Sequence, residues 1–368
     1  MKKIVISIVF SIISIISNGQ ITVTNTAPFN SPTYLVNNIL LGNGVSASNI
    51  TFAGQSTQLG FFYNGVNGVP NLGIDSGIVI STGDVNDIPI GGNQPNIGQY
   101  NGPGDPDLLT IAQSVTSNPS ASGITTTNDG AFLEFDFTPI GDSVKFNFVF
   151  ASEEYTTYIN TVYNDIFAFF ISGPGITGPY AAPAAFPNGA INVAQVPGTG
   201  NPITISTIQS GLNSQYYINN SSGTNNDFNG FTTVITLNFP VQTGALHHLK
   251  IAIADCQDDY LDTGVFLEAG SFKSIGIISS IEKPYQEDDF SIYPNPSTGF
   301  IKYSIPNIDD NNSLFIITDL TGKIVFNSGV ITHSNKNGTL NLSNLSKGVY
   351  YLSVLINENQ LIKKVIIY

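Results

Sequence analysis

The sequence predicts an all-β protein of two units: a large jelly-roll-like β-sandwich followed by a small, Ig-like seven-stranded β-sandwich. Three observations carry that prediction. Charged residues make up only 10% of the 368, while Gly (36) and Pro (20) are plentiful, the composition of strands joined by long polar turns. Apolar residues recur with period two in several runs, as half-buried strands require. From about Phe290 the pattern restarts, with short β-branched or aromatic runs bounded by Gly, Asn or Asp.

The N-terminus reads as an export signal rather than as part of either sandwich. Met1-Lys2-Lys3 is basic, Ile4 to Ile16 is apolar but short for a membrane span, and Ser17-Asn18-Gly19 offers small residues for cleavage before Gln20. Residues 1–19 are therefore assigned to a signal peptide, and no transmembrane span is expected after its removal. The large sandwich is assigned to residues 20–283. Its first clear strand is Ile78 to Ser81. A hairpin is expected next: Ala131, Leu133, Phe135 and Phe137 line one face, residues 138–143 turn, and Val144, Phe146, Phe148 and Phe150 line the other strand. Ile166 to Ile171 is apolar on both faces and reads as a central strand. Phe231 to Phe239 alternates again, and Leu249 to Ala254 and Val265 to Phe272 complete the set. A short acidic linker occupies 284–289. Residues 290–368 form the small sandwich, opened by the helix-breaking Tyr293-Pro294-Asn295-Pro296.

Charge narrows the function classes. The net charge is −14 and every basic residue is lysine; residues 20–283 hold 19 Asp+Glu against 4 Lys, and 284–368 hold 7 against 6. Nucleic acid is excluded as a partner, because binding phosphates takes a basic stripe. The single cysteine, Cys256, cannot form an internal disulfide and is expected as a small buried filler.

Four motifs give the tail a family resemblance. Tyr293-Pro294-Asn295-Pro296, Asp319-Leu320-Thr321-Gly322-Lys323, Leu345-Ser346-Lys347-Gly348-Val349-Tyr350-Tyr351 and the terminal Lys363-Lys364-Val365-Ile366-Ile367-Tyr368 resemble the type A C-terminal sorting domain of the type IX secretion system. The resemblance implies recognition of residues 290–368 by the type IX translocon, removal by a sortase-like peptidase, and delivery through the periplasm to the surface or exterior of a Gram-negative cell. The middle of the chain resembles the choice-of-anchor L family. Its carriers are residues 72–84, the stretch Asn147 to Tyr155 continuing through Tyr163 to Gly175, Phe228 to Val234, and Gly264 to Phe272. That resemblance implies an extracellular module and no particular reaction.

Chemistry concentrates in acidic loops. Glu153 and Glu154 end one aromatic strand, Asp165 opens the next, and Asp255, Asp258, Asp259 and Asp262 crowd a third loop. If these strand ends share a rim, Glu154, Asp165, Asp255 and Asp262, then Glu153 and Glu268, supply the oxygen ligands that Ca²⁺ prefers. The bland alternative is that they solvate loops and cap turns. Tyr155, Tyr158 and Tyr163 offer a platform for a carbohydrate ligand. Gly141-Asp142-Ser143-Val144 is similar to the nucleophile block of GDSL-type esterases, but it lies in a predicted turn and no Asp-x-x-His triplet supplies a base. His247 and His248 are expected on opposite strand faces as surface or turn residues, with His333 in the tail. Gly91-Gly92-Asn93, the segment Gly102 to Asp107 and Gly198-Thr199-Gly200 read as turns with no helix following. The expected function is non-catalytic adhesion or ligand binding at the cell surface, supported by calcium. The alternatives are a secreted carbohydrate-active hydrolase using Glu153 or Glu154, and a structural surface-layer component.

Overall fold

Two rows of aromatic side chains organise the first unit. Phe135 and Phe137 on β5 (Thr127–Pro139) and Phe146, Phe148 and Phe150 on β6 (Ser143–Ser152) are all buried. The predicted hairpin does not form, because β5 and β6 belong to different sheets and residues 140–142 cross between the layers. Placed in opposite layers, the two wholly apolar faces meet across the core instead of crowding one sheet. Phe272 lies between the rows, with ring centroids 5.4 Å from Phe135 and 5.5 Å from Phe146. Each fully buried Phe contributes about 1.5–3 kcal/mol relative to exposure.

The computed structural model describes residues 21–64, 72–90, 98–222, 226–276, 290–305, 312–320, 324–332, 337–356 and 359–368. The expected signal peptide (1–19), the linker (284–289), Gly91-Gly92-Asn93 and His333 lie outside them. The chain divides into two compact units, Met1–Gly276 and Ile277–Tyr368. In the first, one sheet runs β1 (Ile21–Thr24), β3 (Leu59–Asn64), β4 (Ser76–Ser81), β13 (Thr263–Glu268), β6, β10 (Gly230–Thr232), β9 (Tyr217–Asn219). The strands β11 (Ile235–Pro240) and β14 (Lys273–Ile275) also pair with β6. The opposing sheet runs β2 (Val45–Ala53), β5, β12 (His247–Cys256), β7 (Ile166–Ser172), β8 (Ile191–Asn192). All of these ladders are antiparallel among the described residues, as an all-β sandwich predicts.

Three local expectations change. The run from Phe231 to Phe239 is two strands: the chain leaves the sheet at Thr233 and Val234 and re-enters, so that Phe231 pairs with Ala151 and Ile235 with Phe148. The segment from Val265 to Phe272 likewise breaks after Glu268, where Gly270 takes the left-handed conformation (φ +66°) and lets Phe272 turn into the core. The Gly102 to Asp107 segment runs into a helix, α2 (Pro106–Gln113), longer than the single turn of α1 (Pro32–Leu35). Asp105 caps it, Oδ1 accepting from the amides of Asp107 (2.8 Å) and Leu108 (3.0 Å), and Pro106 stands at the first turn, where its missing N–H costs nothing. This helix covers Ile166, Ala168 and Phe170, which explains why β7 is apolar on both faces.

The second unit has the seven strands expected. One sheet holds β15 (Ser291–Tyr293), β16 (Phe300–Ser304) and β19 (Asn337–Asn341). The other runs β18 (Ile324–Thr332), β17 (Asn312–Thr318), β20 (Gly348–Ile356), β21 (Asn359–Ile367). Ile301, Phe315, Ile317, Leu352, Val354 and Val365 fill the space between them. The Tyr-Pro-Asn-Pro motif is tied to the last strand: Asn295 Oδ1 accepts from the Ile366 amide (2.9 Å) and Nδ2 donates to the Lys364 carbonyl (2.6 Å). Among the described residues no helix is long and apolar enough to cross a membrane.

Candidate functional site: an acidic cluster at the strand ends

Antiparallel pairing brings four strand ends together at one edge of the sandwich. In one sheet the end of β6 meets the start of β13, with Ser152 opposite Thr263. In the other the end of β12 meets the start of β7, with Ala254 opposite Ile166. The residues just beyond these pairs are Glu153, Glu154, Asp165, Asp255 and Asp262, each no more than 2% exposed. The shared rim expected from sequence therefore exists for these five, although it is buried rather than open.

Each acid is fixed by its strand end. Glu153 Oε2 accepts from the Asp262 amide (2.7 Å), and the Glu153 amide donates to the Asp262 carbonyl (2.9 Å). Asp262 Oδ1 accepts from the Thr82 hydroxyl (3.0 Å), which itself accepts from the Thr263 amide (2.9 Å). Glu154 Oε2 accepts from the Asp165 amide (3.2 Å), and Asp165 Oδ1 from the Cys256 amide (2.9 Å). The remaining oxygen of Asp165, Oδ2, and both oxygens of Asp255 are buried without a hydrogen bond of normal geometry, although the Thr82 side chain lies near enough to Asp255 to offset a small part of its burial. Among the described residues the ion pairs are His248 with Glu134 and Asp136, and Lys250 with Asp105; none reaches Glu154, Asp165 or Asp255.

Burial without a counter-charge perturbs all three strongly. It pushes the Glu154, Asp165 and Asp255 carboxyls well above the ordinary carboxylate range, and mutual repulsion adds to it: Asp165 acts on Glu154, Asp262 on Asp165, and Asp165 and Asp262 on Asp255. The Cys256 amide offsets part of the effect at Asp165. The Cys256 thiol is also pushed up, by burial and then by Asp165, Glu154 and Asp255. Among the described residues no three of these side chains already converge as ligands around an ion do.

Other predicted site residues fall elsewhere. Glu268 closes the far end of β13, five residues or roughly 16 Å of strand from Thr263, and Oε2 accepts from Asn147 Nδ2 at 2.6 Å. Tyr155 is no platform: it is 1% exposed and its hydroxyl donates to the Ile208 carbonyl (2.7 Å). The histidines are on opposite faces but are not surface residues. His247 stacks on Phe137 in the core, and His248 is held between Asp136 (Nδ1, 2.8 Å) and Glu134 (Nε2, 3.1 Å). Their burial follows from the central place of β12, which sequence periodicity alone did not reveal. Burial by itself lowers the His248 pKa, but the two carboxylates outweigh it and hold it above the usual histidine value. The same contact draws Glu134 below the usual glutamate value. The signal for this cluster was readable: Glu134 and Asp136 alternate with the Phe row of β5, and His248 and Lys250 share a parity on β12. Thr82 carried no such signal.

Comparison with known proteins adds identity but little chemistry. The family model described as Choice-of-anchor L domain matches residues 22–273, and that described as Secretion system C-terminal sorting domain matches residues 291–368. No curated protein is significantly similar to the chain. Among solved structures, the Ruminococcus gnavus β-glucuronidase, alone and in complex with D-glucuronic acid, is 10% identical, with 65% of this chain covered and a TM-score of 0.19. The chain spans about a third of that enzyme's length (35% and 36%). A likeness of that size carries no argument.

Proposed function

Because the chain belongs to the choice-of-anchor L domain family and ends in a type IX sorting domain, we propose that its large sandwich is a non-catalytic adhesion or ligand-binding module whose buried strand ends are closed by Ca²⁺. The sorting domain marks the chain for export by the type IX machinery, through the periplasm to the surface or exterior of a Gram-negative cell. Removal of residues 290–368 by a sortase-like peptidase belongs to the same proposal.

Asp255 carries the calcium reading. A carboxylate buried beside Asp165 and Asp262, with no hydrogen bond of normal geometry and only the nearby Thr82 side chain to support it, is costly unless it is protonated or meets a cation. Ca²⁺ takes six to eight oxygen ligands and brings the missing charge. Glu154, Asp165 and Asp255 would hold it, with Glu153 and Asp262 beside them; Glu268 is left out by its distance along β13. Binding would draw these side chains together and tie both sheets at one edge. The hydrolase alternative has no observation in its favour, since Glu153 and Glu154 are each 2% exposed and a general acid must reach the glycosidic oxygen.

Calorimetric titration of CaCl₂ into the EDTA-treated, dialysed full chain at pH 7.5 tests the proposal. Saturable binding is expected, weakened at least about tenfold by Asp255→Asn, the loss of roughly 1.4 kcal/mol of a charged ligand's contribution. Absence of binding in the parent, or an unchanged affinity in the variant, overturns it.

A further inference from the structure

The outer face of the β2–β5–β12–β7–β8 sheet is apolar at one end, beneath α2, and polar at the other. A cavity of about 240 Å³ opens where the two meet. The register of three strands builds its floor: Lys250 lies between Glu134 and Phe170, and His248 between Asp136 and Ser172. Ala181, Ala182, Pro183 and Ala190 form an apolar wall.

Several polar groups here keep unused hydrogen-bonding capacity. Ser172 is 1% exposed, lines the cavity, and its Oγ has no hydrogen-bond partner. A buried hydroxyl left unmet is destabilising, so a partner that reaches it is favoured. Lys250 has three donors, one of which goes to Asp105 while the ammonium sits 5.0 Å from the Phe132 ring centroid and 5.7 Å from that of Phe170. Glu134 uses Oε2 for His248, leaving Oε1 as an acceptor. The cavity thus presents a hydroxyl, an ammonium and a carboxylate oxygen around an apolar wall.

We propose that this cavity binds a single uncharged sugar residue, through Ser172, Lys250 and Glu134, with Phe170 and Pro183 against its C–H face. A sugar hydroxyl both donates and accepts, so adjacent hydroxyls can satisfy the carboxylate and the two donors together. Charge disfavours the alternatives. Lys250 and His248 stand among three carboxylates, Asp105, Glu134 and Asp136, so the site carries no net positive charge for an anion, while an ammonium ligand would compete with Lys250 and His248 for their carboxylate partners. Size limits the ligand to one ring, because the cavity is smaller than the roughly 300–1,000 Å³ of drug-sized sites. The inference rests on the binding-module reading and names its ligand class; it does not depend on the acidic cluster.

Saturation-transfer NMR of the full chain with methyl glucoside, galactoside and mannoside, against methyl glucuronide and glucosamine, tests it. Transfer to at least one neutral glycoside is expected, unaffected by EDTA, with affinity about tenfold weaker in Glu134→Gln and in Ser172→Ala. A melting midpoint within about two degrees of the parent certifies that each variant is folded; the half-exposed Glu134 supplies the second variant should Ser172→Ala fail. The proposal falls if no neutral glycoside shows transfer, if the charged sugars are preferred, or if affinity ignores both substitutions. Sugar binding without a response to calcium would overturn the calcium reading alone, and the converse result this one alone.

Discussion

At the scale of single residues, Asp255 and His248 both weaken the fold as pH rises, one through a growing penalty and the other through a lost contact. The folded pKa values of Glu154, Asp165 and Asp255 lie above their unfolded values, so the unfolded chain releases these protons first. Their penalty is absent below about pH 4, grows as pH rises through the unfolded pKa, and is complete above the folded one. In EDTA the melting midpoint is therefore expected to fall as pH rises above the unfolded carboxyl pKa of about 4, and added Ca²⁺ to cancel more of the loss as pH rises. Asp255→Asn removes one buried charge, and in EDTA at pH 7.5 its midpoint is expected to rise by a few degrees, about 1 kcal/mol for a domain of this size, while its shift on adding Ca²⁺ shrinks. His248 acts in the same direction: its stabilising contact with Glu134 and Asp136 is complete below the unfolded histidine pKa and is lost as pH rises through the raised folded value. His248→Gln should flatten that part of the pH profile in differential scanning calorimetry.

At the scale of elements, the aromatic rows decide the packing. Phe148 contacts Phe167 and Phe169 on the opposing sheet, centroids 5.5 and 5.1 Å apart. Phe148→Ala is expected to cost about 3–5 kcal/mol in urea denaturation, and a loss below about 1 kcal/mol would contradict this account of the core. Asp105→Ala removes both the cap of α2 and the partner of Lys250, and is expected to cost at least the roughly 0.5–2 kcal/mol of a lost cap. Period two made the inner faces of β5 and β6 legible in the sequence, because a strand's burial is written in alternation, and the unbroken apolar run of β7 marked it as a central strand. It could not say which strands pair. The six-residue gap between the Phe rows suits a hairpin and a crossover equally, and only the demands of the opposite layer select the crossover. Helix α2 was missed although Asp105-Pro106 is a helix-start signal, because the surrounding glycines suggested turns. The acidic loops were legible as candidates through their places at strand ends, whereas their burial, and the departure of Glu268, depend on register.

At the scale of the whole chain, two units with separate cores are joined by one polypeptide, and the second is an export signal by family. Deletion of residues 290–368 is expected to leave the protein in the periplasm, and fractionation of the producing cells checks this; normal appearance outside would contradict the assignment. The calcium reading of the first unit stands or falls on whether the ion closes its acidic edge. The most direct measurement is the thermal melt of the full chain at pH 7.5 in CaCl₂ and in EDTA. A midpoint several degrees higher in calcium is predicted for the large unit, and superimposable melts in the two buffers would contradict it.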